Sequence, residues 1–210
     1  MKIAVFGSTG KAGQEVVTQA LDRGFRVAAY AREPSKLSLT SPRLTVIGGE
    51  LNDKIAIDRA AYRANAAISL LGPGGNPKDD ALSEGVKNIV AALGVNRVSR
   101  FIQISTPSSP DPLDQKDLKI GAMVRMAKNT IPNAYKEIVR IGEIVRSSDL
   151  DWTLVRVPLL NEKPLTKKLR IGYPGEKIVK TAVSRADLAW FMLEQLTSNE
   201  YLKKAPMISN

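Results

Sequence analysis

The chain has 210 residues, a formal net charge of +10, and neither Cys nor His. These absences exclude disulfides, thiolate nucleophiles, zinc fingers and Ser-His-Asp triads, and no metal site is expected. Each half of the chain carries +5, so no tail concentrates the charge. We therefore expect a basic surface suited to anionic small molecules, and nucleic-acid binding is the less favoured interpretation.

The N-terminal residues lack the apolar segment of a signal peptide, and no run of 18 apolar residues occurs in the chain. We therefore expect a cytoplasmic protein without a membrane segment. The length and composition fit one domain, and we expect a monomer or a weak homodimer.

Short apolar runs alternate with amphipathic stretches over the first three quarters of the chain. Runs that are continuously apolar are typical of strands buried on both faces of a parallel sheet. The predicted strands are residues 3–6, 27–30, 44–47, 66–71, 101–104 and 152–155. Apolar residues at helical spacing lie between them, at residues 16–21 before Gly24, 81–93 before Gly94, and 138–145. This alternation predicts an α/β fold with a doubly wound parallel sheet.

The last 50 residues differ from this pattern. Residues 1–158 are predicted to form the core, and residues 159–210 a small extension over the substrate side. Within it we predict a loop at 160–169, short strands at 169–171 and 178–181, and an edge strand at 206–209. Ser184 is predicted to cap a helix that runs to Leu196, because Asp187 completes a capping box with it.

Residues 107–133 allow two interpretations. They begin with a proline-rich loop and include a mildly amphipathic stretch that ends at Pro132. The segment is either a surface excursion with some helix or a lid over the site. The second interpretation is kept because the segment follows the carboxyl end of a predicted strand, where open α/β sheets bind ligands.

A glycine motif, G-x-x-G-x-x-G, connects the first strand to the first helix. Gly7 permits a sharp turn, Gly10 lets the backbone approach a pyrophosphate, and Gly13 allows close packing of the helix. The phosphates would then lie on unpaired N–H groups at the helix N-terminus. The motif is not a P-loop, because Lys11 is not followed by Ser or Thr. It predicts dinucleotide binding.

The end of the second strand indicates which dinucleotide binds. An NAD site usually has Asp or Glu here for the ribose hydroxyl, whereas this chain has Arg32, with Lys36 one turn later. An arginine can bind a 2′-phosphate and stack on adenine. Glu33 could instead accept the hydroxyl, and Arg32 could be a solvated surface residue. The pattern favours NADP(H) over NAD(H).

Together these motifs resemble the atypical short-chain dehydrogenase/reductases, and within them NmrA-like proteins of the biliverdin reductase B/flavin reductase type. The resemblance lies in the glycine motif, Arg32 and the segments 49–51, 70–72, 83–90 and 184–188. It implies a Rossmann-type fold and, for the cofactor phosphates, contacts from Gly7, Thr9, Gly10 and Lys11. For the 2′-phosphate it implies Arg32, Ser35 and Lys36, and for the adenine Glu50 and Leu51, although Asp is common where Glu50 stands. Leu71 and Gly72 would line the cofactor groove, Ser105 and Thr106 would face its nicotinamide end, and Pro158 and Leu159 would form the other wall there.

The Tyr-x-x-x-Lys pair of most short-chain dehydrogenases is missing. Tyr135 falls near the position of the catalytic tyrosine, but Val139 stands where the lysine is required. Tyr173 does precede Lys177 at this spacing, but in a predicted turn rather than in a helix. Tyr135 could still act as a residual acid, or it could be an ordinary residue of a helix face.

Two functions fit a dinucleotide site that lacks this pair. One is an NAD(P)H-dependent reductase that transfers hydride to a conjugated, anionic acceptor such as a flavin, a biliverdin-like compound or a quinone. The extended π-system then delocalises the charge, and alignment matters more than an enzymic acid. Ser105 and Thr106 could bind the carboxamide or the acceptor, or could simply cap a strand end. The alternative is a non-catalytic NADP-binding redox sensor.

Overall fold

The computed structural model describes residues 1–73, 75, 77, 79–176 and 180–210. The strands in this part of the chain are β1 Lys2–Phe6, β2 Arg26–Ala31, β3 Leu44–Gly48, β4 Ala66–Ser69, β5 Arg100–Ser105, β6 Asp151–Arg156, β7 Leu160–Asn161, β8 Arg170–Gly172, β9 Val183–Ser184 and β10 Met207–Ser209. The helices are α1 Lys11–Asp22, α2 Lys54–Ala61, α3 Ala81–Val95, α4 Leu118–Thr130, α5 Pro132–Arg146 and α6 Arg185–Glu194. A short 3-10 turn covers Pro34–Lys36.

The main sheet has the strand order β3-β2-β1-β4-β5-β6-β10-β8. Its pairs are parallel except for β10 with β8. Helices α1 and α6 cover one face, and α2, α3 and α5 cover the other, each with its own apolar core. The prediction of a doubly wound α/β sheet is therefore confirmed. The chain reverses its winding direction between β1 and β4, and such a switch point opens a crevice at the carboxyl ends of the strands.

Several predicted boundaries are confirmed and others are wrong. Gly24 takes a φ of +82° just after α1, and the Ser184 side chain accepts a hydrogen bond from the Asp187 N–H at the start of α6. Helix α3 runs through Gly94, and the left-handed residue after it is Arg97. Strand β4 ends at Ser69, two residues earlier than predicted, and α6 ends at Glu194. Helix α2 carried too short an apolar pattern for prediction.

The extension is continuous with the core sheet. The strand predicted at 206–209 is confirmed as β10, but its predicted edge position is wrong, because β10 lies between β6 and β8 and is buried, while β8 forms the edge. Strand β7, within the predicted loop, pairs with β9 in a separate two-stranded ladder. The predicted strand at 178–181 lies partly outside the described residues, and 180–181 are not in a strand.

The buried carboxylate of Asp187 organises the extension. It accepts hydrogen bonds from the backbone N–H groups of Thr166 and Lys167, and from the side chains of Thr166, Ser184 and Asn210. A buried carboxylate is stable only when such donors surround it. The loop after β7, the start of α6 and the end of the chain are thereby held together.

Two arginines fix the loop that follows β5. The fully buried Arg156 binds both carboxylate oxygens of Asp114 at 2.7 Å, and its Nε donates to the Ala205 carbonyl at 2.6 Å. Arg146 donates to Ser109 and Pro110 of the same loop. The exposed helix α4 follows, with only Ile120 buried. The segment is thus an anchored excursion at the surface that contains a helix.

Candidate functional site

A groove crosses the carboxyl ends of the strands at the switch point. It consists of a larger cavity of about 750 Å³ and a smaller one of about 540 Å³. The two cavities share four lining residues, Gly7, Gly10, Leu71 and Gly72. All four were predicted as cofactor contacts, and the structure brings them together at the centre of one groove. An elongated ligand lying across this centre would occupy both cavities.

The glycine motif forms the floor of this centre. Gly7 has a φ of +76°, a conformation that only glycine adopts without strain. Gly10 is the N-cap of α1 and has no side chain with which to cap the helix. The first N–H groups of a helix have no intrahelical partner. The N-terminus of α1 therefore presents free donors and the positive end of the helix dipole to the groove.

The larger cavity is lined by the predicted adenosine-side residues. Arg32, Lys36, Glu50 and Leu51 line it, together with Thr9, which was predicted to contact the cofactor phosphates. Its lining also contains Tyr30, Ala81, Leu82, Gly85 and Asn88, which the sequence did not single out as site residues. The phenol of Tyr30 donates to the Glu50 carbonyl at 2.6 Å, and burial raises the pKa of Tyr30 to about 12. Tyr30 therefore remains a neutral wall residue.

Arg32, Glu33 and Lys36 form a charged cluster at the outer end of the larger cavity. The Glu33 carboxylate lies 2.8 Å from Lys36 Nζ and 3.9 Å from Arg32 Nη2. Its hydrogen bond with Lys36 lowers the pKa of Glu33, with a smaller contribution from Arg32. The cluster carries a net charge of +1. Ser35, also predicted here, is exposed and is not one of the described lining residues.

The smaller cavity contains the predicted nicotinamide-side residues. Ser105, Thr106, Pro158 and Leu159 line it, together with Ile104. The Ser105 hydroxyl is buried and has no hydrogen-bond partner among the described residues. Thr106 Oγ1 accepts a 3.2 Å hydrogen bond from the Ser108 N–H. A buried hydroxyl without a partner is costly, so an orphan at this position fits a ligand that hydrogen-bonds to Ser105. The residues present therefore suit a bound dinucleotide.

Tyr135 is not placed in either cavity. Its ring contacts Lys128, whose Nζ lies 5.8 Å from the ring centroid. The helix α5 instead presents Ile138 and Ile141 to the smaller cavity, with Ile131 just before it. The position predicted for a residual acid is thus an ordinary helix-face aromatic, because the helical spacing places isoleucines on the side that faces the cavity. The prediction of Tyr135 as an acid is not supported by this arrangement.

The second tyrosine of interest also lies away from the groove. The ring of Tyr173 faces the Arg156 guanidinium at 5.7 Å, and neither described cavity includes Tyr173 in its lining. Its proposed partner at the four-residue spacing, Lys177, lies outside the described residues. Burial raises the pKa of the Tyr173 phenol.

Arg185 also lines the groove, although the sequence indicated it only as part of a helix start. It is the first residue of α6 and lines the smaller cavity beside Lys11. Of the described residues that line this cavity, Lys11 and Arg185 alone have ionisable side chains. The remaining lining is largely aliphatic. The cavity is therefore a mainly apolar chamber whose lining includes two hydroxyls and two cations.

Over the described ranges, Asp and Glu side chains form no group of three that could hold a metal ion. In the same part of the chain, no helix combines the length and the apolarity needed to cross a membrane.

Sequence comparison relates the chain to nucleotide-binding proteins. A family model described as NAD(P)H-binding matches residues 7–199. Reductase pytE from Aspergillus terreus is 26% identical, with 99% of this chain and 97% of that protein covered. A (4-alkanoyl-5-oxo-2,5-dihydrofuran-3-yl)methyl phosphate reductase from Streptomyces griseus is 27% identical over 154 residues, which are 73% of this chain. The match spans 46% of that longer protein.

Solved structures with the same fold cover the whole chain. ChuY, an anaerobilin reductase from Escherichia coli O157:H7, superposes with a TM-score of 0.80 at 18% identity, covering 100% of this chain and 97% of that one. A short-chain dehydrogenase/reductase from Veillonella parvula in complex with NADP gives 0.78 at 18% identity, with coverage of 100% and 94%. At such identities these structures establish the fold alone.

Proposed function

The chain belongs to the family of NAD(P)H-binding proteins, and from this premise we propose that it is an NADPH-dependent reductase of a conjugated acceptor, of the atypical short-chain dehydrogenase/reductase type. The acceptor class is a flavin, a biliverdin-like compound or a quinone. One observation carries the proposal: a largely aliphatic cavity of about 540 Å³ adjoins the glycine motif. Flat, conjugated molecules fit such a chamber because its walls offer dispersion and apolar burial.

The cofactor would be held along the groove by residues of the core. The backbone of Gly7 and Gly10 would bind its phosphates, and Lys11 would add positive charge. Arg32 and Lys36 support a preference for NADPH, because both cations lie at the outer end of the larger cavity. Glu33 would have to release Lys36 for a 2′-phosphate to take its place. When bound, NADPH supplies the hydride.

The residues of the smaller cavity would orient the acceptor rather than protonate it. Ser105 would donate a hydrogen bond through its otherwise unpaired hydroxyl, to the carboxamide or to the acceptor. Ile138 and Ile141 would pack against the acceptor and exclude water from one side. Because a conjugated acceptor delocalises the arriving charge, solvent can supply the proton at its exposed edge. Alignment of the two ring systems is then the main contribution of the protein.

The experiment is an acceptor screen at fixed NADPH, with absorbance at 340 nm as the readout. FMN, riboflavin, biliverdin and a soluble quinone form the panel. We expect acceptor-dependent NADPH oxidation with at least one of them, and loss of this activity in Gly10→Val. Tight NADPH binding without turnover across the panel would instead favour the redox sensor. The aliphatic lining and the missing Tyr-x-x-x-Lys pair are compatible with that second function.

A further inference from the structure

One carboxylate bridges the two cations at the end of the smaller cavity. Glu162 Oε1 accepts a hydrogen bond from Lys11 Nζ at 3.0 Å and from Arg185 Nη1 at 2.8 Å. The hydrogen bond from Lys11 lowers the pKa of the Glu162 carboxyl, and the charge of Arg185 lowers it further. Two cations from different parts of the fold thus already share an anionic oxygen.

The fold itself places these three residues together. Strand β7 pairs in parallel with β9, with Asn161 opposite Ser184, so the next positions along the ladder are Glu162 and Arg185. Helix α6 then packs on α1, and Gln19 of α1 donates to the Ala186 carbonyl. This packing brings the first residue of α1, Lys11, to the first residue of α6. Lys11 and Arg185 are thus fixed by two packed helices, whereas Glu162 is an exposed residue that follows the half-buried strand β7.

The three side chains differ in exposure. The Arg185 side chain is 22% exposed, whereas those of Lys11 and Glu162 are 74% and 62% exposed. Arg185 and Lys11 line the cavity, and Glu162 lies outside its described lining. The carboxylate therefore joins the two cations and leaves the Lys11 side chain largely exposed. An exposed ion pair of this kind contributes little to stability, so a ligand anion can displace it at small cost.

We propose that Arg185, with Lys11 next to the cofactor phosphates, forms the binding site for the anionic group, phosphate or carboxylate, of the acceptor, and that Glu162 pairs with both cations in the free protein. The proposal rests on the proposed reductase function and names the part of the acceptor that the cavity recognises. The guanidinium of Arg185 suits both anions, because its donors can bind two oxygens at once. The same pair could in principle serve the cofactor pyrophosphate, and the experiment separates these two sources.

FMN and riboflavin are matched probes, since they share one ring system and differ by a phosphate. Their dissociation constants are measured by quenching of flavin fluorescence on protein saturated with NADP⁺. We expect wild type to bind FMN more tightly than riboflavin. Because a charge-assisted hydrogen bond is lost, Arg185→Gln should raise the dissociation constant of FMN about 10-fold. That of riboflavin should change by less than about twofold. Arg185→Lys should restore part of the preference.

Glu162→Gln tests whether the Glu162 carboxylate competes with the ligand, and here FMN binding should become tighter rather than weaker. Removing a competing carboxylate should tighten FMN about threefold without changing riboflavin. The matched control is Arg26→Gln, which removes an exposed arginine at the amino end of β2, on the opposite edge of the sheet. Arg26→Gln should leave the dissociation constants of both flavins unchanged. The thermal midpoint of each variant verifies that it is folded.

Several results would overturn the proposal. Equal binding of the two flavins by wild type, or binding of neither, would do so, as would unchanged FMN binding in both site variants. If Arg185→Gln weakened NADP⁺ and spared the difference between the flavins, the pair would serve the cofactor instead. Turnover is measured separately. If NADPH were oxidised with no acceptor of the panel but FMN still bound more tightly than riboflavin, the reductase function would be contradicted. The anion site would remain supported.

Discussion

Gly13 packs so closely on Gly7 that a β-carbon built at Gly13 would overlap the Gly7 carbonyl oxygen and lie 2.9 Å from its carbonyl carbon. Gly10 differs, because a β-carbon there would meet the protein only at 3.5 Å, an ordinary contact. The fold therefore requires glycine at position 13. It does not require glycine at position 10, where the missing side chain leaves room for a ligand to approach the backbone.

The first prediction follows from this difference. Gly13→Ala should lower the free energy of unfolding by roughly 1–3 kcal/mol, as overpacking does. Gly10→Val should cost less than about 1 kcal/mol, since the N-cap loses no side-chain hydrogen bond, yet should abolish NADPH binding. Urea denaturation and fluorescence titration measure the two effects. Retained NADPH binding in folded Gly10→Val would disprove the phosphate-loop assignment.

The second prediction concerns cofactor preference. Arg32→Ala should weaken NADPH about 10-fold and NADH by less than about twofold, because only NADPH has the 2′-phosphate. Glu33→Gln should tighten NADPH, since it frees Lys36. Isothermal titration calorimetry gives both constants, with Arg26→Ala as a control at the opposite edge of the sheet. Equal losses for the two cofactors in Arg32→Ala would refute its 2′-phosphate role.

The third prediction concerns the loop that Arg156 holds. Asp114→Ala leaves a fully buried guanidinium without its carboxylate, which should cost about 3–5 kcal/mol in the free energy of unfolding. Asp149→Ala, at an exposed position, is the matched control and should change it by less than about 0.5 kcal/mol. Urea denaturation measures both. A loss below 1 kcal/mol in Asp114→Ala would show that the pair does not anchor the loop.

The fourth prediction concerns pH. The chain has no His or Cys, and the described lining of the smaller cavity offers only lysine and arginine as ionisable residues. Neither type ordinarily titrates near neutrality. The rate of hydride transfer should therefore be nearly constant between about pH 6 and pH 8.5. Stopped-flow measurement at several pH values tests this. A bell-shaped profile within that range would reveal an acid or base that this site does not contain.

The sequence was most informative where local pattern determines structure. Continuous apolar runs predicted the core strands, and the glycines predicted a helix start that the structure places at the switch point. Pairing over long distances was not readable. The three residues of β10 carry no periodicity, and only their neighbours in space decide that they insert beside β6. The position of Arg185 likewise depends on the β7–β9 ladder and on the packing of α6 against α1.

The direction in which side chains point was the other feature that could not be predicted from the sequence. Tyr135 was selected by its place along the chain, but the turn of α5 directs the isoleucines to the cavity instead. Conversely, the structure shows Glu33 engaged with Lys36, where the sequence left its direction open.

The central claim is that this protein transfers a hydride from NADPH to a conjugated acceptor. The most direct measurement is the anaerobic single-turnover oxidation of NADPH deuterated at C4, one diastereomer at a time, with FMN as acceptor. We expect acceptor-dependent loss of NADPH absorbance with a normal primary isotope effect for one diastereomer only, and no reaction in Gly10→Val. NADPH that binds tightly but stays unoxidised with FMN, riboflavin, biliverdin and quinone alike would contradict the claim.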